Sequence, residues 1–202
     1  MTEQPSTDEA LMLRYQRGDR TAFVAIVRRH QGPLYNFALR QLRVPSVAQD
    51  VVQEAFLRVV QKAQDFKHEA RFSTWLYSIA RNLCIDQMRR SALRKHPSLD
   101  QARSRDSSDG PTLGEVTADA RANVEREAGT NEMRAQIERA VEALPDDQRE
   151  VFLLREVANL PFKEIAEVTG VPENTVKSRM RYALERLQAA LAEYEEYSRA
   201  LK

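Results

Sequence analysis

The feature that most constrains the fold is the uneven placement of aromatic residues. Phe, Tyr and Trp recur between Tyr15 and Tyr77, and the next aromatic residue is Phe152. Within this gap, residues 91–130 contain two prolines, three glycines and many Ser and Asp residues. Such a segment has few large apolar side chains to offset the entropy of ordering the chain. The sequence therefore predicts two compact lobes joined by a flexible linker.

Both lobes show the residue spacing of helices. Apolar residues recur three and four positions apart, and no alternating strand pattern with hairpin turns occurs. Asp8, Asp19 and Ser46 are placed to cap helices of the first lobe, whereas Gly32 and Pro33 predict a break after its second helix. The predicted fold class is therefore all-α, with two small helical lobes. The predicted boundaries are residues 1–92 for the first lobe, 93–130 for the linker and 131–202 for the second lobe.

Charge is divided unequally between the lobes. The whole chain has 31 Lys and Arg against 30 Asp and Glu, a net charge of +1 that by itself suggests no nucleic-acid partner. Residues 1–90, however, carry 14 basic and 9 acidic side chains, whereas residues 131–202 carry 11 and 14. The near-neutral total therefore does not exclude DNA, although it predicts weak DNA binding by the free chain.

The strongest local motif, at residues 160–187, is typical of a helix-turn-helix. Ala166 is small where the second helix would cross the first, Gly170 suits a left-handed turn, and Pro172 opens the second helix. On that helix, the face opposite the apolar residues carries groups that suit major-groove edges and phosphates. These residues are Asn174, Lys177, Ser178 and Arg181, with Tyr182 beside them. A merely solvated basic face is the alternative, and the three small or turn-forming residues at the required offsets favour DNA binding.

A second polar surface is predicted on the helix at residues 70–90. Its apolar side is formed by Leu76, Ile79, Ala80 and Leu83. The opposite side carries Arg71, Thr74, Ser78, Arg81, Asn82 and Arg89, with Trp75 and Tyr77 at its margins. Cations that follow a phosphate chain, together with rings that can stack on bases, suit single-stranded nucleic acid. The alternative, in which Trp75 and Tyr77 are core aromatics, stays open because large aromatics are usually buried.

Enzyme chemistry has no support in the sequence. Cys84 lies next to the apolar side of its helix, where a structural thiol is expected. The three histidines, His30, His68 and His96, have no metal-ligand spacing, and neither a P-loop nor a GxGxxG pattern occurs. We therefore expect no catalysis, no metal and no cofactor. We also expect a cytoplasmic protein without membrane insertion, because no signal peptide or apolar spanning segment is evident.

Several stretches in the same order resemble the extracytoplasmic-function (ECF) group of bacterial sigma factors, which keep only conserved regions 2 and 4. In the first lobe these are residues 50–56 (DVVQEAF) and 72–83 (FSTWLYSIARNL), followed by Asp86, Arg89 and Arg90. In the second lobe they are Leu144, Pro145, residues 150–152 (EVF), Ile165, Ala166, Gly170 and residues 175–179 (TVKSR). The resemblance implies a subunit that binds core RNA polymerase and directs it to promoter DNA.

The resemblance also implies roles for individual residues of the first lobe. The clamp of the largest polymerase subunit would bind Asp50, Gln53, Glu54 and Arg58. The loop at residues 66–71 would capture a base flipped out of the minus-ten element, and the helix after it would hold the opened strand. The minus-ten residues would be Phe66, Lys67, His68, Arg71, Thr74, Trp75, Tyr77, Ser78, Arg81, Asn82 and Arg89.

The second lobe would read the minus-thirty-five element as duplex and bind the flap of the second-largest subunit. Its DNA contacts would be Asn174, Thr175, Lys177, Ser178, Arg179, Arg181 and Tyr182. Tyr182 stands where many members of the family have a basic residue, so the preferred base does not carry over. The resemblance further implies an anti-sigma factor as partner, although no residue identifies one.

One rival reading is a conventional transcription regulator that uses only the helix-turn-helix. Its first lobe would then be a sensor or dimerisation module, for which the sequence shows neither a ligand pocket nor a phosphoacceptor within a sheet. Co-purification with core polymerase would separate the two readings.

Overall fold

The protein is all-helical over the residues that the computed structural model describes, 6–67, 71–94 and 122–200, and no strand occurs in these ranges. This confirms the predicted fold class. The helices of the first lobe are α1 (Asp8–Gln16), α2 (Arg20–Leu42), α3 (Pro45–Gln61) and α4 (Phe72–Arg94), with a 3-10 helix at Ala63–Asp65. Those of the second lobe are α5 (Ala122–Ala143), α6 (Asp146–Glu156), α7 (Phe162–Thr169) and α8 (Glu173–Ala200).

Most of the predicted linker, residues 93–130, lies outside the described residues. Helix α4 extends to Arg94, and α5 begins at Ala122, nine positions ahead of the predicted start of the second lobe at residue 131. The lobe boundaries given above therefore stay predictions.

Asp19 is the N-cap of α2, as the sequence predicts. Asp19 Oδ1 accepts hydrogen bonds from the backbone N–H groups of Thr21 at 2.9 Å and Ala22 at 3.3 Å. The Thr21 hydroxyl and the Arg14 guanidinium also bind this carboxylate, and together these groups lower the pKa of Asp19 to about 2. Asp19 thus satisfies backbone donors that have no partner inside the helix.

Two other predicted caps are wrong, by one residue at α1 and by two at α3. The N-cap of α1 is Thr7, whose hydroxyl accepts from the Ala10 N–H at 3.2 Å, so that Asp8 lies in the first turn. Ser46 does not cap α3, because that helix begins at Pro45. Proline is favoured at a first helical position, where its missing N–H would have no partner in any case.

The predicted helix break at Gly32 and Pro33 is also wrong, since α2 runs through both residues. A proline inside a helix removes one backbone hydrogen bond and costs about 3 kcal/mol. The buried residues Ile26, Leu34 and Phe37 lie on both sides of the proline and pack into one core. We attribute the continuity of α2 to this burial, at ~1.5–3 kcal/mol for each large apolar side chain.

The turn between α5 and α6 is held by a buried cation. The Arg149 guanidinium donates to the Leu144 carbonyl at 3.0 Å and to Asp146 Oδ1 at 2.5 Å. Because Leu144 follows the end of α5, Arg149 satisfies a carbonyl that the helix itself leaves free. This contact fixes the direction of α6, on which the helix-turn-helix packs.

Candidate nucleic-acid interface

Helices α7 and α8 form the helix-turn-helix that the sequence predicts. Gly170 ends α7 in the left-handed region at φ 72°, and its N–H donates to the Ala166 carbonyl at 2.8 Å. Glycine adopts this conformation without the steric penalty of a Cβ. Val176, Met180, Ala183 and Leu187 are buried on the inner side of α8, as predicted.

The outer face of α8 is open to solvent. The side chains of Lys177 and Arg181 are 52% and 64% exposed, and Asn174, Ser178 and Tyr182 are also exposed. Their ion pairs stay within α8: Lys177 with Glu173 at 2.6 Å, and Arg181 with Glu185 at 3.7 Å. Exposed pairs of this kind are weak, so a phosphate can replace the carboxylate at little cost.

Two residues predicted on this face are less accessible. Arg179 pairs with Asp147 of α6 at 3.1 Å, and Thr175 is partly buried. Arg179 therefore joins α8 to α6 within the second lobe, and a DNA contact by its side chain would compete with this ion pair.

The residues predicted to hold an opened DNA strand form a polar stripe along one side of α4, beginning with Arg71 just before the helix. We call it the strand stripe, and its members are Arg71, Thr74, Ser78, Arg81, Asn82 and Arg89. Arg71, Asn82 and Arg89 are exposed, and Ser78 and Arg81 are partly buried. Thr74 is buried, although it belongs to the same side of the helix. Lys67, which precedes the stripe, is also exposed. His68 of the predicted capture loop lies outside the described residues.

Two aromatic residues predicted to contact DNA belong instead to the core. Tyr77 is only 1% exposed, and its ring meets that of Phe37 edge to face with centroids 5.4 Å apart. Burial raises the pKa of its phenol well above the ordinary value. Phe66 is likewise buried, against Phe72. Helical periodicity places Tyr77 at the margin of the stripe, but the packing of α2 against α4 covers that margin.

Trp75 lies between the core and the surface. Its ring centroid is 5.1 Å from that of Phe66 and 6.1 Å from that of Phe72, yet the residue is only partly buried. The ring therefore packs on the core while the residue keeps part of its surface in solvent.

Helix α1 anchors both ends of the loop that leads into α4, a role that the sequence analysis missed. The Gln16 side-chain amide donates to the carbonyls of Ala63 at 2.7 Å and Phe66 at 3.0 Å. Glu9 Oε1 accepts a hydrogen bond from the Phe72 N–H at 2.9 Å. No local sequence signal could reveal these contacts, because they join residues 47 to 63 positions apart.

The two lobes meet along the strand stripe, where α4 packs against α7. Glu150 of α6 accepts hydrogen bonds from Arg81 Nε at 2.8 Å and Nη2 at 3.3 Å. Glu164 of α7 accepts a hydrogen bond from the Thr74 hydroxyl and pairs with Arg71 Nε at 3.1 Å. Three residues of the stripe are thus bound to carboxylates of the second lobe.

The residues predicted to bind polymerase share one face of α3. Asp50 and Gln53 are exposed, and Glu54 pairs with Arg58 at 2.9 Å. Leu57, which is 50% exposed, lies on the same face one turn after Gln53 and Glu54. The sequence analysis did not select Leu57, although an exposed leucine beside a polar patch is a usable signal for a protein partner.

Cys84 is a core residue, as its position predicts. Burial, with the nearby Glu150 carboxylate, raises the pKa of its thiol to about 12, so the thiolate is scarce at neutral pH. Among the described residues, no cluster of three or more His, Cys, Asp and Glu side chains could hold a metal ion. Within the same ranges, no helix is long and apolar enough to span a membrane.

The exposed second helix of a helix-turn-helix, beside a lobe with a cationic helix, defines a DNA-binding protein. Two families of known proteins match the two lobes: Sigma-70 region 2 over residues 26–94 and Sigma-70, region 4 over residues 134–187. The ECF RNA polymerase sigma-E factor of Escherichia coli strain K12 is 34% identical over 186 residues, which are 92% of this chain and 94% of that protein. The chain therefore belongs to the ECF sigma factors, which direct promoter-specific initiation of transcription.

Two solved structures share the fold at 22% sequence identity. CnrH in complex with the cytosolic domain of CnrY has a TM-score of 0.64, covering 93% of this chain and 99% of that one. The sigma factor RpoE of Bartonella quintana, in complex with the anti-sigma factor NepR, has a TM-score of 0.61, covering 84% and 96%. Both similarities agree with an all-helical fold of two lobes.

Proposed function

We propose that the two lobes divide promoter recognition between them. Helix α8 reads the minus-thirty-five element as duplex, and the strand stripe of α4 holds the opened minus-ten strand while core polymerase is bound through α3. The observation that carries this proposal is the presence, in one chain, of two cationic helix faces that suit different forms of DNA.

Duplex reading by α8 is supported by the exposure of its outer face. Amide, hydroxyl and cationic groups at Asn174, Ser178, Lys177 and Arg181 can contact base edges and phosphates in the major groove. The Arg181 guanidinium also lies 4.9 Å from the Tyr182 ring centroid, which orients both side chains on this face.

Strand binding by the first lobe is supported by the chemistry of the stripe. Arg71, Arg81 and Arg89 offer cations to a phosphate chain, and Asn82 offers an amide to a base edge. The partly exposed Trp75 adds an aromatic side chain against which an unpaired base can pack. The minus-ten element would melt if this lobe binds single-stranded DNA more tightly than duplex DNA. Equal affinity for the two forms would not shift the equilibrium between them.

Polymerase binding is assigned to two surfaces. The face of α3 with Asp50, Gln53, Glu54 and Arg58 would meet the clamp of the largest subunit, and Leu57 would add an apolar contact at its centre. The flap of the second-largest subunit would occupy an apolar groove of the second lobe. That groove is lined by Ile137, Phe152, Leu184, Leu187, Gln188, Leu191 and Ala192.

We further propose that an anti-sigma factor controls this protein. The protein itself would act in the cytoplasm, together with core polymerase. The shared fold with RpoE, solved in complex with the anti-sigma factor NepR, and with CnrH, solved in complex with the cytosolic domain of CnrY, supports this partner. The exposed Leu57, Ile137 and Leu184 offer apolar contacts that a regulator could cover.

The strand role is tested by in vitro transcription with core polymerase, on a promoter selected from a library. The variant is Asn82→Ala, which removes an exposed side chain and leaves the core intact. We expect transcription from duplex templates to fall several-fold, while templates with a pre-opened minus-ten element are affected less, because melting is then already done. The matched control is Asn36→Ala, an exposed asparagine on α2. Equal loss by Asn82→Ala on both templates would contradict a role in melting.

A further inference from the structure

A cationic corner lies beside the capture loop, residues 66–71. Arg17 and Lys62 are the C-cap residues of α1 and α3, and both are exposed. Lys67, on the loop itself, is exposed as well. We call Arg17 and Lys62 the corner pair, and the sequence analysis selected neither of them.

Hydrogen bonds bring the corner pair together. The side-chain amide of Gln16 donates to the carbonyls of Ala63 at 2.7 Å and Phe66 at 3.0 Å. The Gln64 amide donates in turn to the Gln16 carbonyl at 3.4 Å. Gln16 directly precedes one member of the pair, and Ala63 directly follows the other. These contacts therefore place both cations at one corner of the first lobe, next to the capture loop.

The corner is built on packed aromatic rings. Tyr15 stacks on Phe23 with ring centroids 4.8 Å apart, and Phe23 meets Phe56 of α3 edge to face at 6.3 Å. Ala63 and Phe66 are buried. The backbone that carries the corner pair is therefore fixed, whereas the exposed side chains can turn towards a partner.

The local charge of the corner is positive. The corner pair and Lys67 supply three cations, and the exposed carboxylate of Asp65 lies among them in the chain. The nearby Asp19 is already paired with Arg14 at 2.7 Å. No ion pair joins the corner pair to another of the described residues. Cations without such partners attract phosphate groups.

The ends of the helices explain these cations only in part. A cation near the C-terminus of a helix interacts favourably with the helix dipole, by ~0.3–1 kcal/mol at an exposed site. This effect applies to each member of the corner pair separately. It accounts neither for Lys67, which lies in the loop, nor for the meeting of three cations beside a loop assigned to DNA.

The position of the corner relative to α4 indicates which part of the strand it meets. The strand stripe begins beside the capture loop at Arg71 and extends ~27 Å to Arg89, at 1.5 Å for each residue. From the far end of α4 the chain continues to the second lobe, which is assigned to the upstream element. The corner pair therefore lies at the downstream end of the stripe, beyond the captured base.

We propose that Arg17 and Lys62 bind phosphates of the opened strand immediately downstream of the captured base. This inference rests on the proposed strand role of the first lobe. The contact positions the strand as it leaves the capture loop. It is independent of base sequence, because phosphate contacts carry no sequence information.

The test uses the chain bound to core polymerase, on a promoter selected from a library. The promoter fragment is duplex upstream of the minus-ten element, and its non-template strand either ends with that element or continues beyond it by about six nucleotides. The corner variant is Arg17→Gln together with Lys62→Gln. The matched control, Arg28→Gln together with Arg134→Gln, removes the same charge from exposed residues of α2 and α5.

The affinity for both fragments is measured by fluorescence anisotropy over a range of salt concentrations. On the longer strand, we expect the corner variant to bind about fivefold more weakly than its control, a loss of ~1 kcal/mol. Its plot of log affinity against log salt concentration should be shallower by about 1.4, since each phosphate contact of a single strand contributes ~0.7 to the slope. We expect the same reduction for two longer strands of different sequence, and equal binding of the shorter strand by the two variants.

Three results would overturn the inference. The first is equal binding of the longer strand by the corner variant and its control, even if urea denaturation shows that the corner variant is less stable; the cations would then act on the helix ends alone. The second is a difference that persists on the shorter strand. The third is weaker binding of core polymerase by the corner variant without DNA, which would assign the pair to the polymerase interface.

A failure of the proposed function gives a different pattern. Arg89→Ala, an exposed member of the strand stripe, should weaken binding of both fragments relative to Arg28→Ala on α2. If these two variants bind both fragments equally, the strand site is refuted and the corner inference with it. If Arg89→Ala binds more weakly while the corner variant matches its control, the strand site stands and only the corner inference is refuted.

Discussion

Replacing Gln16 by Ala should loosen the loop that leads into α4. The substitution removes one side-chain amide that donates to two backbone carbonyls, those of Ala63 and Phe66, at 2.7 Å and 3.0 Å. Both contacts are part-buried, and the second end of the loop stays held by Glu9 at the Phe72 N–H. The variant therefore keeps the fold but loses one of two anchors.

The expected magnitude follows from these two hydrogen bonds. Each contributes a net ~0.5–1.5 kcal/mol, and water can reach the freed carbonyls in part, so we expect the free energy of unfolding to fall by about 1–2 kcal/mol. If the substitution lowers the free energy of local loop opening by the same amount, amide hydrogen exchange in the loop should become faster by a factor of about 5–30.

The assays are urea denaturation and hydrogen exchange measured by mass spectrometry on peptides covering residues 62–71. The control is Gln31→Ala, an exposed glutamine on α2, which makes the same chemical change without removing a contact to this loop. The reasoning is refuted if the two variants unfold at the same urea concentration and exchange this loop at the same rate. A further expectation is that Gln16→Ala reduces transcription from duplex templates more than from pre-opened ones, because we propose that this loop captures a base of the opened strand.

Three further predictions concern single side chains. Tyr77→Phe removes a buried hydroxyl that has no hydrogen-bond partner among the described residues, so urea denaturation should show unchanged stability or a gain of up to about 1 kcal/mol; a selective loss of transcription on duplex templates at equal stability would instead place Tyr77 at the DNA. Lys177→Ala should weaken binding to a duplex minus-thirty-five element by about 1–3 kcal/mol in a gel-shift assay, and full affinity would mean that the recognition face is misassigned. Asp19→Ala should lower the melting temperature at neutral pH, because a carboxyl with a lowered pKa stabilises the fold in its charged form. The pKa of Asp19 is about 2 in the folded protein against an ordinary value of 3.8, so the difference in melting temperature between variant and wild type should be constant above pH 5 and shrink as the pH falls from 4 towards 2. A difference in melting temperature that does not change with pH would show that the charge is not involved.

The helices and the helix-turn-helix could be predicted because their signals are local. Gly170 in a left-handed turn, the buried row at Val176 and Met180 on α8, and the cap at Asp19 each depend on neighbours a few positions away. The errors at helix ends are also local, because they concern which of a few neighbouring residues begins a helix. At Pro33, by contrast, packing outweighs propensity. Burial of Leu34 and Phe37 offsets a missing backbone hydrogen bond that the sequence pattern treats as a break.

The polar surfaces were predicted less completely, since helical periodicity gives a side chain its direction but not its neighbours. The stripe on α4 is present, yet Tyr77 at its margin is covered by Phe37 of α2. The anchors Glu9 and Gln16 were missed for the same reason, and so was the exposure of Leu57 on the proposed polymerase face.

The sequence by itself determined an all-helical protein with two lobes and a helix-turn-helix, because residue spacing and turn chemistry specify these within a few residues. Only the tertiary structure decided which cations remain open to DNA. Arg81 and Glu150 are 69 positions apart, and Thr74 and Glu164 are 90 apart, so no local pattern records that they meet. Their contact arises from the packing of whole helices, and it places carboxylates of the second lobe on three residues of the strand stripe.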